Sequence, residues 1–567
     1  MAQNETARHA QTAATGFTQL RRYQGAWLHA DVVAGITVTA YLVPQCLAYA
    51  GIVGSPPLTS LWVAIVAMVI YALLGTSRLL SVGPEAGVSV MVATAVAPLA
   101  GSDPGRWMAL SAALAVLVGL ACVAAWALRL GFLADMLSRP ILLGYMAGLG
   151  LVMILGQLGS LTGVGLTSPS NLGKAGELAG RLGEVNPIVL ALSVSVVAGL
   201  VLLSRVAPLV PGTLIAVIAG GLAVVAFQLD QHGVALVGAV PSGLPSITLP
   251  AVGLGDVEAL LGGAAAVTFV AYSEVALTGR AFAERTGEEI DANQEFIALG
   301  IANLAAGLTG GFALSASGSR SAILDAMRAR TQLAGLVAAA STLVIVLLTP
   351  GLIALIPKAA LAGIVVYAGT RLVRAGEMRR LATFRSTELG LAMAALVGVL
   401  LFDVLAGILI AIALSVADLF LRVARPPASI LGRVPGLAGL HNIDDYPDAT
   451  QVPGLLVFRY DAPLCFANAA DFRARALAAV DAQPVKVQWF LLNAEAIVEL
   501  DTTAVELLGQ FERDLAVRHV VFAMARVKQV LRAQLARGEL LEVIDEERIY
   551  PTLPVAVEAF ERWKERR

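Results

Sequence analysis

The stretch "ALSASGSRSAI", residues 313–323, sets four serines around one arginine, Arg320, inside a strongly apolar chain. It follows "EFIALGIANLAAGLTGGF" (295–312) and precedes an uncharged run from 331 to 357 that ends at Pro357. A second stretch, "SRLLSVGPEAG" (77–87), interrupts another apolar region with a Gly-Pro step. An arginine placed in hydrocarbon is costly unless it faces a wet cavity or a partner. Both interruptions therefore have to be fitted to a membrane architecture.

The chain has 567 residues, 57% of them apolar and 14% charged, with a mean hydropathy of +0.78. Soluble domains carry about 25% charged residues, so the composition points to a membrane protein. The three cysteines, Cys46, Cys122 and Cys465, are scattered and odd in number, and imply neither a disulfide framework nor a metal site. His9, His29, His232, His441 and His519 form no ligand cluster. Residues 1–30 lack the apolar core of a secretory signal and read as a cytoplasmic tail that meets the membrane near Trp27.

A spanning helix needs about 20 mostly apolar residues. Fourteen candidates follow: 31–50, 58–75, 84–100, 107–128, 140–158, 187–204, 212–229, 261–279, 293–310, 319–328, 331–350, 357–371, 385–402 and 404–422. The inner connections collect most of the arginines, among them Arg78, Arg129, Arg205, Arg280, Arg328 and Arg371. The outer ones hold Arg106, Lys174, Arg181 and Lys358, and 228–256 has no Lys or Arg. This asymmetry predicts an even number of passages with both ends inside. The two odd segments, third and tenth, each stand third in a block of seven. An odd-numbered block inverts its successor, so the blocks read as inverted repeats over about 31–229 and 261–424.

After Arg425 a Pro/Gly/Asp-rich stretch, 425–452, reads as a linker. Beyond it, "LLVFRY" (455–460), "VQWFLLN" (487–493) and "VVFAMA" (520–525) alternate with charged, helix-patterned segments. Residues 453–567 are therefore expected to form a small cytoplasmic α/β domain.

The start of a buried helix offers unpaired N–H groups and about half a positive charge. Two such starts facing each other at mid-membrane make an anion site. Pro84 suits a first helical turn, and Gly83 and Gly87 permit close approach of the backbone. Ser317, Ser319 and Ser321 supply hydroxyls or caps, and Arg320 a permanent charge. The plainer alternative has Arg320 reaching to an interface and the serines capping a loop. Glu274 ends an uncharged run from 259 to 273. It reads either as a carboxyl group that carries a proton across the membrane or as half of an ion pair with Arg280 or Arg320. Glu85, just inside the third helix, would compete with an anionic substrate unless protonated or turned away, and is a second candidate proton carrier.

These features resemble the SulP anion transporter family, the sulfate permeases, over nearly the whole chain from about Tyr23. "VAGITVTAYLVPQCLAYAGIVGSPPLTSLW" is similar to the family's first-helix signature, with Pro44, Gln45, Ala48, Tyr49 and Ala50 in place. "SRLLSVGP", "SRPILLGYMAG" and "NQEFIALGIANLAAGLTGGF…SGSRSA" match further motifs, and the C-terminal part is similar to a STAS domain. The resemblance implies fourteen helices in a 7+7 inverted repeat, with a core (helices 1–4 and 8–11) that slides against a gate (helices 5–7 and 12–14) while an anion sits between helices 3 and 10. It places the family's substrate serine and arginine on Ser319 and Arg320 and its helix-8 acid on Glu274, and adds Gln45 and Tyr49 to the pocket. Many members have an apolar or aromatic residue where Glu85 stands, and Ala316 and Gly318 replace bulkier residues. "DTTA" (501–504) resembles the phosphorylatable loop of anti-sigma factor antagonists, with Thr502 at the phosphorylated position; a helix cap by Asp501 or Thr502 is the alternative.

No nucleophile–base pair, metal motif or cofactor loop appears, so no enzyme, no cofactor and no nucleic-acid partner is expected. The expected function is secondary active transport of a small anion, sulfate with protons, across the cytoplasmic membrane. Sodium-coupled bicarbonate and proton-coupled dicarboxylate transport stand as alternatives, and a membrane-anchored STAS sensor as a remote one. The resemblance also implies a homodimer, with the STAS domain open to a cytoplasmic protein partner. The charge asymmetry makes a direct prediction. Single cysteines introduced as Ser170→Cys and Gly238→Cys should react with an impermeant thiol reagent on intact cells, and Thr450→Cys should not. The reverse labelling would invert the topology.

Overall fold

The computed structural model describes residues 15–101, 103–131, 139–168, 170–238, 245, 247–286, 288–402 and 404–566; the first half of the expected 1–30 tail lies outside them. The chain divides into two compact units, Met1–Ser415 and Val416–Arg567.

Fourteen principal helices follow the fourteen apolar segments: α1 (Leu28–Val53), α2 (Pro57–Leu74), α3 (Ala86–Ala100), α4 (Pro104–Ala127), α5 (Arg139–Gly156), α6 (Pro187–Val206), α7 (Gly212–Phe227), α8 (Leu254–Thr286), α9 (Ala292–Leu308), α10 (Gly318–Ala326), α11 (Leu333–Leu348), α12 (Lys358–Leu372), α13 (Ser386–Leu401) and α14 (Val404–Ala424). Among the described residues, α1, α2, α4, α5, α6 and α8 are individually long and apolar enough to cross a membrane. Their starts carry the expected signals. Pro57, Pro104 and Pro187 occupy first turns, and Asp103 and Asp291 accept the first free amides.

The architecture is that of a 7+7 inverted-repeat membrane protein with a C-terminal α/β domain. Helix α9 packs along α4 and α2, α11 along α1 and α2, and α8 along α4, which gathers α1–α4 and α8–α11 into one bundle. In a second bundle α13 packs on α5, and α12 on α5 and α6. Glycines set the closest approaches, because helices in lipid gain most from tight backbone packing. A Cβ on Gly119 of α4 would stand 2.8 Å from the carbonyl oxygen of Gly300 in α9, and one on Gly300 would stand 3.1 Å from that of Gly119.

Three expectations change. Helix α3 starts at Ala86 and not at Pro84, because the Glu85 side chain is its N-cap and leaves Pro84 in the incoming loop. Helix α8 runs well beyond 261–279, since its polar ends, from Asp256 to Arg280, lie outside the apolar window that defined the segment. The stretch 425–452 is not a plain linker: it contributes β3 (Ala428–Gly432) and β4 (His441–Asn442) to a sheet. The flanking Pro426 and Pro427 and the terminal Gly432 give so short a strand no strand-like pattern. Upstream of α1, a short helix, Gly16–Arg21, is bound to the α2–α3 loop through Gly16 N to Gly75 O (2.7 Å) and Gln19 Nε2 to Thr76 O (3.0 Å).

Ahead of the two short helices α3 and α10 run β1 (Val82–Gly83) and β2 (Ser315–Ala316), paired antiparallel with Val82 opposite Ala316 and Gly83 opposite Ser315. In the second unit, β5 (Leu455–Tyr460), β6 (Trp489–Asn493), β7 (Val521–Ala525) and β8 (Ile549–Tyr550) complete a six-stranded sheet in the order β4-β3-β5-β6-β7-β8. Strands β5 to β8 are parallel; β3 is antiparallel to β4 and β5. Within this unit, which includes the end of α14, Asn468 is fully buried. Its Nδ2 donates to Val423 O and Pro463 O, both at 3.0 Å, and its Oδ1 accepts from Cys465 N at 2.9 Å.

The α5–α13 contact is the tightest test of this packing. A Cβ on Gly144 would overlap the Ala392 carbonyl oxygen, far inside van der Waals contact, whereas one on Gly176 would meet nothing within 4 Å. Gly144→Val should cost about 3 kcal/mol or more, read as a large fall in the thermal unfolding midpoint of the detergent-solubilised protein. Gly176→Ala should leave that midpoint unchanged.

Candidate functional site

The short β1–β2 pair holds the two interrupted segments face to face. Ser317 N donates to Ser81 O at 2.8 Å and Ser81 N donates to the Ser321 hydroxyl at 2.9 Å, which in turn donates to Ser317 O at 2.8 Å. The Ser321 hydroxyl is thus spent on joining the strands. The start of α10 follows directly, with Ser317 as its N-cap accepting from Arg320 N at 3.5 Å. The start of α3 leaves from the other strand, with Glu85 accepting from Gly87 N at 2.6 Å and Val88 N at 3.3 Å.

Arg320 crosses from α10 to the first repeat and is fully buried. Its Nε donates to Ser81 Oγ at 3.2 Å and its Nη1 to Pro84 O at 2.9 Å, with Gln45 Oε1 of α1 at 3.4 Å. Its Nη2 has no hydrogen-bond partner, and a Cβ on Gly83 would stand 3.4 Å from it. Pro84 therefore acts through its carbonyl oxygen, and Gly83 keeps room beside the guanidinium.

Two more buried polar atoms around this point lack partners: Glu274 Oε2 of α8 and the Tyr145 hydroxyl of α5. Tyr145 and Tyr49, both buried, lie within electrostatic reach of Glu85 and Glu274. A Cβ on Gly87 would stand 3.0 Å from Glu85 Oε2, 3.5 Å from Glu274 Oε1 and 2.9 Å from Leu149 of α5, so the start of α3, α8 and α5 converge there. Ser319 and Gly318 are exposed although their neighbours Ser317 and Arg320 are buried, and the Ser319 hydroxyl shares a hydrogen bond with that of Ser317 at 3.2 Å. Water therefore reaches the first turn of α10.

The structure brings together Gln45, Tyr49, Gly83, Pro84, Glu85, Glu274, Ser317, Ser319, Arg320 and Ser321. Neither Glu274 nor Glu85 forms an ion pair with Arg320 among the described residues, so the ion-pair alternative for Glu274 with Arg320 is not realised. Thr502 belongs to the second unit, as the exposed first residue of the helix Thr502–Val517. That helix is capped by Asp501, which accepts from Ala504 N at 2.8 Å and Phe466 N at 2.6 Å.

Sequence reasoning missed Ser81 and Tyr145. Both stood inside quoted motifs, but a hydroxyl in an apolar loop (Ser81) or helix (Tyr145) carries no signal until its neighbours are known. It also missed the supports of the α2–α3 loop. Buried Glu295 accepts from Tyr71 Oη (2.8 Å), Thr76 N (2.8 Å) and Thr76 Oγ1 (2.6 Å), and Gln332 Nε2 donates to Ser77 O (2.8 Å) and Leu80 O (3.0 Å).

The arrangement can hold a small anion: a fixed cation with an unused donor, a helix start, and hydroxyls on the water-reached side. Comparison with known proteins agrees with this placement of elements. Residues 28–395 match the family model described as the sulfate permease family, and 446–556 match the STAS domain. A "Probable sulfate transporter" of Mycobacterium tuberculosis is 50% identical over 549 residues, which is 97% of this chain and 98% of that protein. Chloroplastic sulfate transporter 4.1 of Arabidopsis thaliana is 28% identical over 96% of this chain and 82% of its own length. Among solved structures, the murine solute carrier 26 family member A9 anion transporter, in its inward-facing state, superposes with a TM-score of 0.87 at 19% identity over 96% of this chain and 93% of that one. The transmembrane domain of the cyanobacterial bicarbonate transporter BicA does so with a TM-score of 0.62 at 24% identity over 68% of this chain and 98% of that one.

The site makes one quantitative prediction. Arg320→Ala should weaken anion binding by about ten- to a hundredfold, the worth of a charge-assisted contact. Isothermal titration of the purified, folded variant with sulfate tests this. Undiminished affinity would remove Arg320 from the site.

Proposed function

This chain belongs to the sulfate permease family, a family of membrane transporters and not of enzymes, and from that premise we propose that it is a secondary transporter that carries sulfate together with protons. The observation that carries the reading is the buried Arg320 guanidinium, whose Nη2 is left without a partner between the starts of α3 and α10. A small tetrahedral anion supplies several acceptor oxygens at once, which suits a donor set split between a guanidinium, helix amides and the Ser319 hydroxyl. Sulfate is also the substrate in the names of the Mycobacterium and Arabidopsis relatives.

In this reading the anion rides on α3 and α10 within the bundle α1–α4/α8–α11, which slides against the bundle α5–α7/α12–α14. Both termini are cytoplasmic, and the transporter works as a homodimer. Residues 31–424 form the transport domain, and the STAS domain offers a cytoplasmic surface for a protein partner.

Charge balance favours proton coupling. A divalent anion entering a cell works against about 2.3 kcal/mol per charge per 100 mV. Protons moving with it offset that cost. Glu274, whose Oε2 is buried without a partner beside the start of α3, is the leading carrier, and Glu85 the alternative. Sodium would require several converging oxygen ligands, and the Ser315 hydroxyl beside Glu274 already donates to Ala271 O at 2.8 Å. The Ser273 hydroxyl already donates to Phe269 O at 2.7 Å.

Radiolabelled sulfate uptake into proteoliposomes should rise when the outer pH is lowered from about 8 to about 5.5, and Glu274→Gln should remove that dependence. Uptake that requires sodium and ignores the proton gradient would overturn proton coupling. Competition by bicarbonate but not by sulfate would replace the substrate.

A further inference from the structure

The anion seat described above is already half filled by the protein itself. Two of the amides at the start of α3, Gly87 N and Val88 N, are both taken by Glu85 Oε2. An N-cap normally spends a short side chain, Ser, Thr, Asp or Asn, on this task at a surface. Here the cap is a carboxylate inside an apolar bundle, next in the chain to Pro84, whose carbonyl accepts from a fully buried guanidinium that Glu85 does not pair with. The start of α10 needs no such filler, because Ser317 caps it. Arg320 Nη2 meanwhile stays unpartnered, with Gly83 leaving space in front of it.

We propose that Glu85 is a tethered anion: it seats itself on the α3 amides when the site is empty, and the substrate must displace it to bind. This rests on the reading of the site as an anion seat. The incoming anion takes Gly87 N and Val88 N and completes the donor set of Arg320. The displaced carboxylate turns toward Glu274, beside which it already lies at Gly87. Two carboxylates side by side cannot both remain ionised at little cost, so the displaced pair takes up one proton from the water that delivered the anion. When the anion leaves, Glu85 returns to the amides and the proton is released to the same side. The groups facing Glu85 are Glu274 of α8, Arg320 of α10, Tyr145 of α5, and Tyr49 of α1 with Cys46 beside it.

The device has a second consequence. With Glu85 seated, the unloaded bundle presents a satisfied helix start and a nearby negative charge to the membrane. It can therefore make the return journey without an anion. Without Glu85, the empty site keeps two free amides and an uncompensated guanidinium, and the return is slowed. A symporter then drifts toward an exchanger, which crosses only when loaded.

The test uses the full-length protein and two variants. Glu85→Gln keeps an oxygen that can cap Gly87 N and Val88 N but loses the charge, and Glu85→Ala removes both. Binding of sulfate, bicarbonate and chloride is titrated at about pH 5.5 and about pH 8. Both variants should bind the anion preferred by the wild type about tenfold more tightly at the higher pH, with the gap closing in acid, where the wild-type side chain is protonated and yields its place. In proteoliposomes, the ratio of exchange into anion-loaded vesicles to net uptake into empty ones should rise about tenfold or more. Wild-type binding with unchanged or weaker affinity in the variants, or exchange and net uptake falling in parallel, overturns the tethered anion and leaves the site reading standing. Failure of the wild type to bind any of the three anions overturns the site reading, and this inference with it.

Discussion

The buried guanidinium of Arg320 is the constraint around which the membrane unit is arranged. A charge withdrawn from water is tolerated only where its donors are taken up or a counter-charge waits. Three of its contacts reach across the repeat boundary, to Ser81, to Pro84 O and to Gln45. These contacts fix the first interrupted helix relative to the second. The short β1–β2 pairing then closes the same joint with backbone bonds. Losing that joint would leave irregular backbone unpaired within the bundle, which lipid does not forgive.

The joint in turn is held by supports some distance away. The α2–α3 loop is gripped by Glu295 from α9, by Gln332 at the start of α11 and by Gln19 from the short N-terminal helix. Asp31 at the start of α1 does the corresponding work on the α10–α11 loop, accepting from Arg330 N at 2.6 Å and from Thr331 Oγ1 at 2.7 Å. Each is a buried polar group that is hydrogen-bonded to loop backbone, the arrangement expected where loops run inside a bundle. The candidate site is thus pinned along its loops, while Arg320 Nη2, Glu274 Oε2 and the Tyr145 hydroxyl are left without partners.

That division suits movement of a loaded bundle as a body. Within each bundle, glycines bring backbones into direct contact, as at Gly119 with Gly300 and at Gly144 with Ala392. Between bundles the site is bordered by side chains, Leu149 and Tyr145 of α5 facing the start of α3. In the proposed sliding of one bundle against the other, side-chain contacts would be exchanged more cheaply than interlocked backbones.

The sequence by itself determined the membrane class, the fourteen segments, the inverted order and the identity of most polar residues at the site. Apolar run length, loop charge and isolated intramembrane charges are local properties, readable without coordinates. It could not determine where α3 begins, because that depends on the Glu85 side chain folding back onto its own amides. Nor could it separate the serines. Ser321 is consumed in the strand joint, while Ser319 is left open to water. Tyr145, Ser81 and Glu295 carried no distinctive signal, since such a polar group, in a helix or in a buried loop, acquires a role only from what packs against it. Likewise the strand Ala428–Gly432 became a strand through its pairing with β5, a partner more than twenty residues away, and not through any pattern of its own. Partners distant in sequence decided these features, and only the tertiary structure brings them within hydrogen-bonding range.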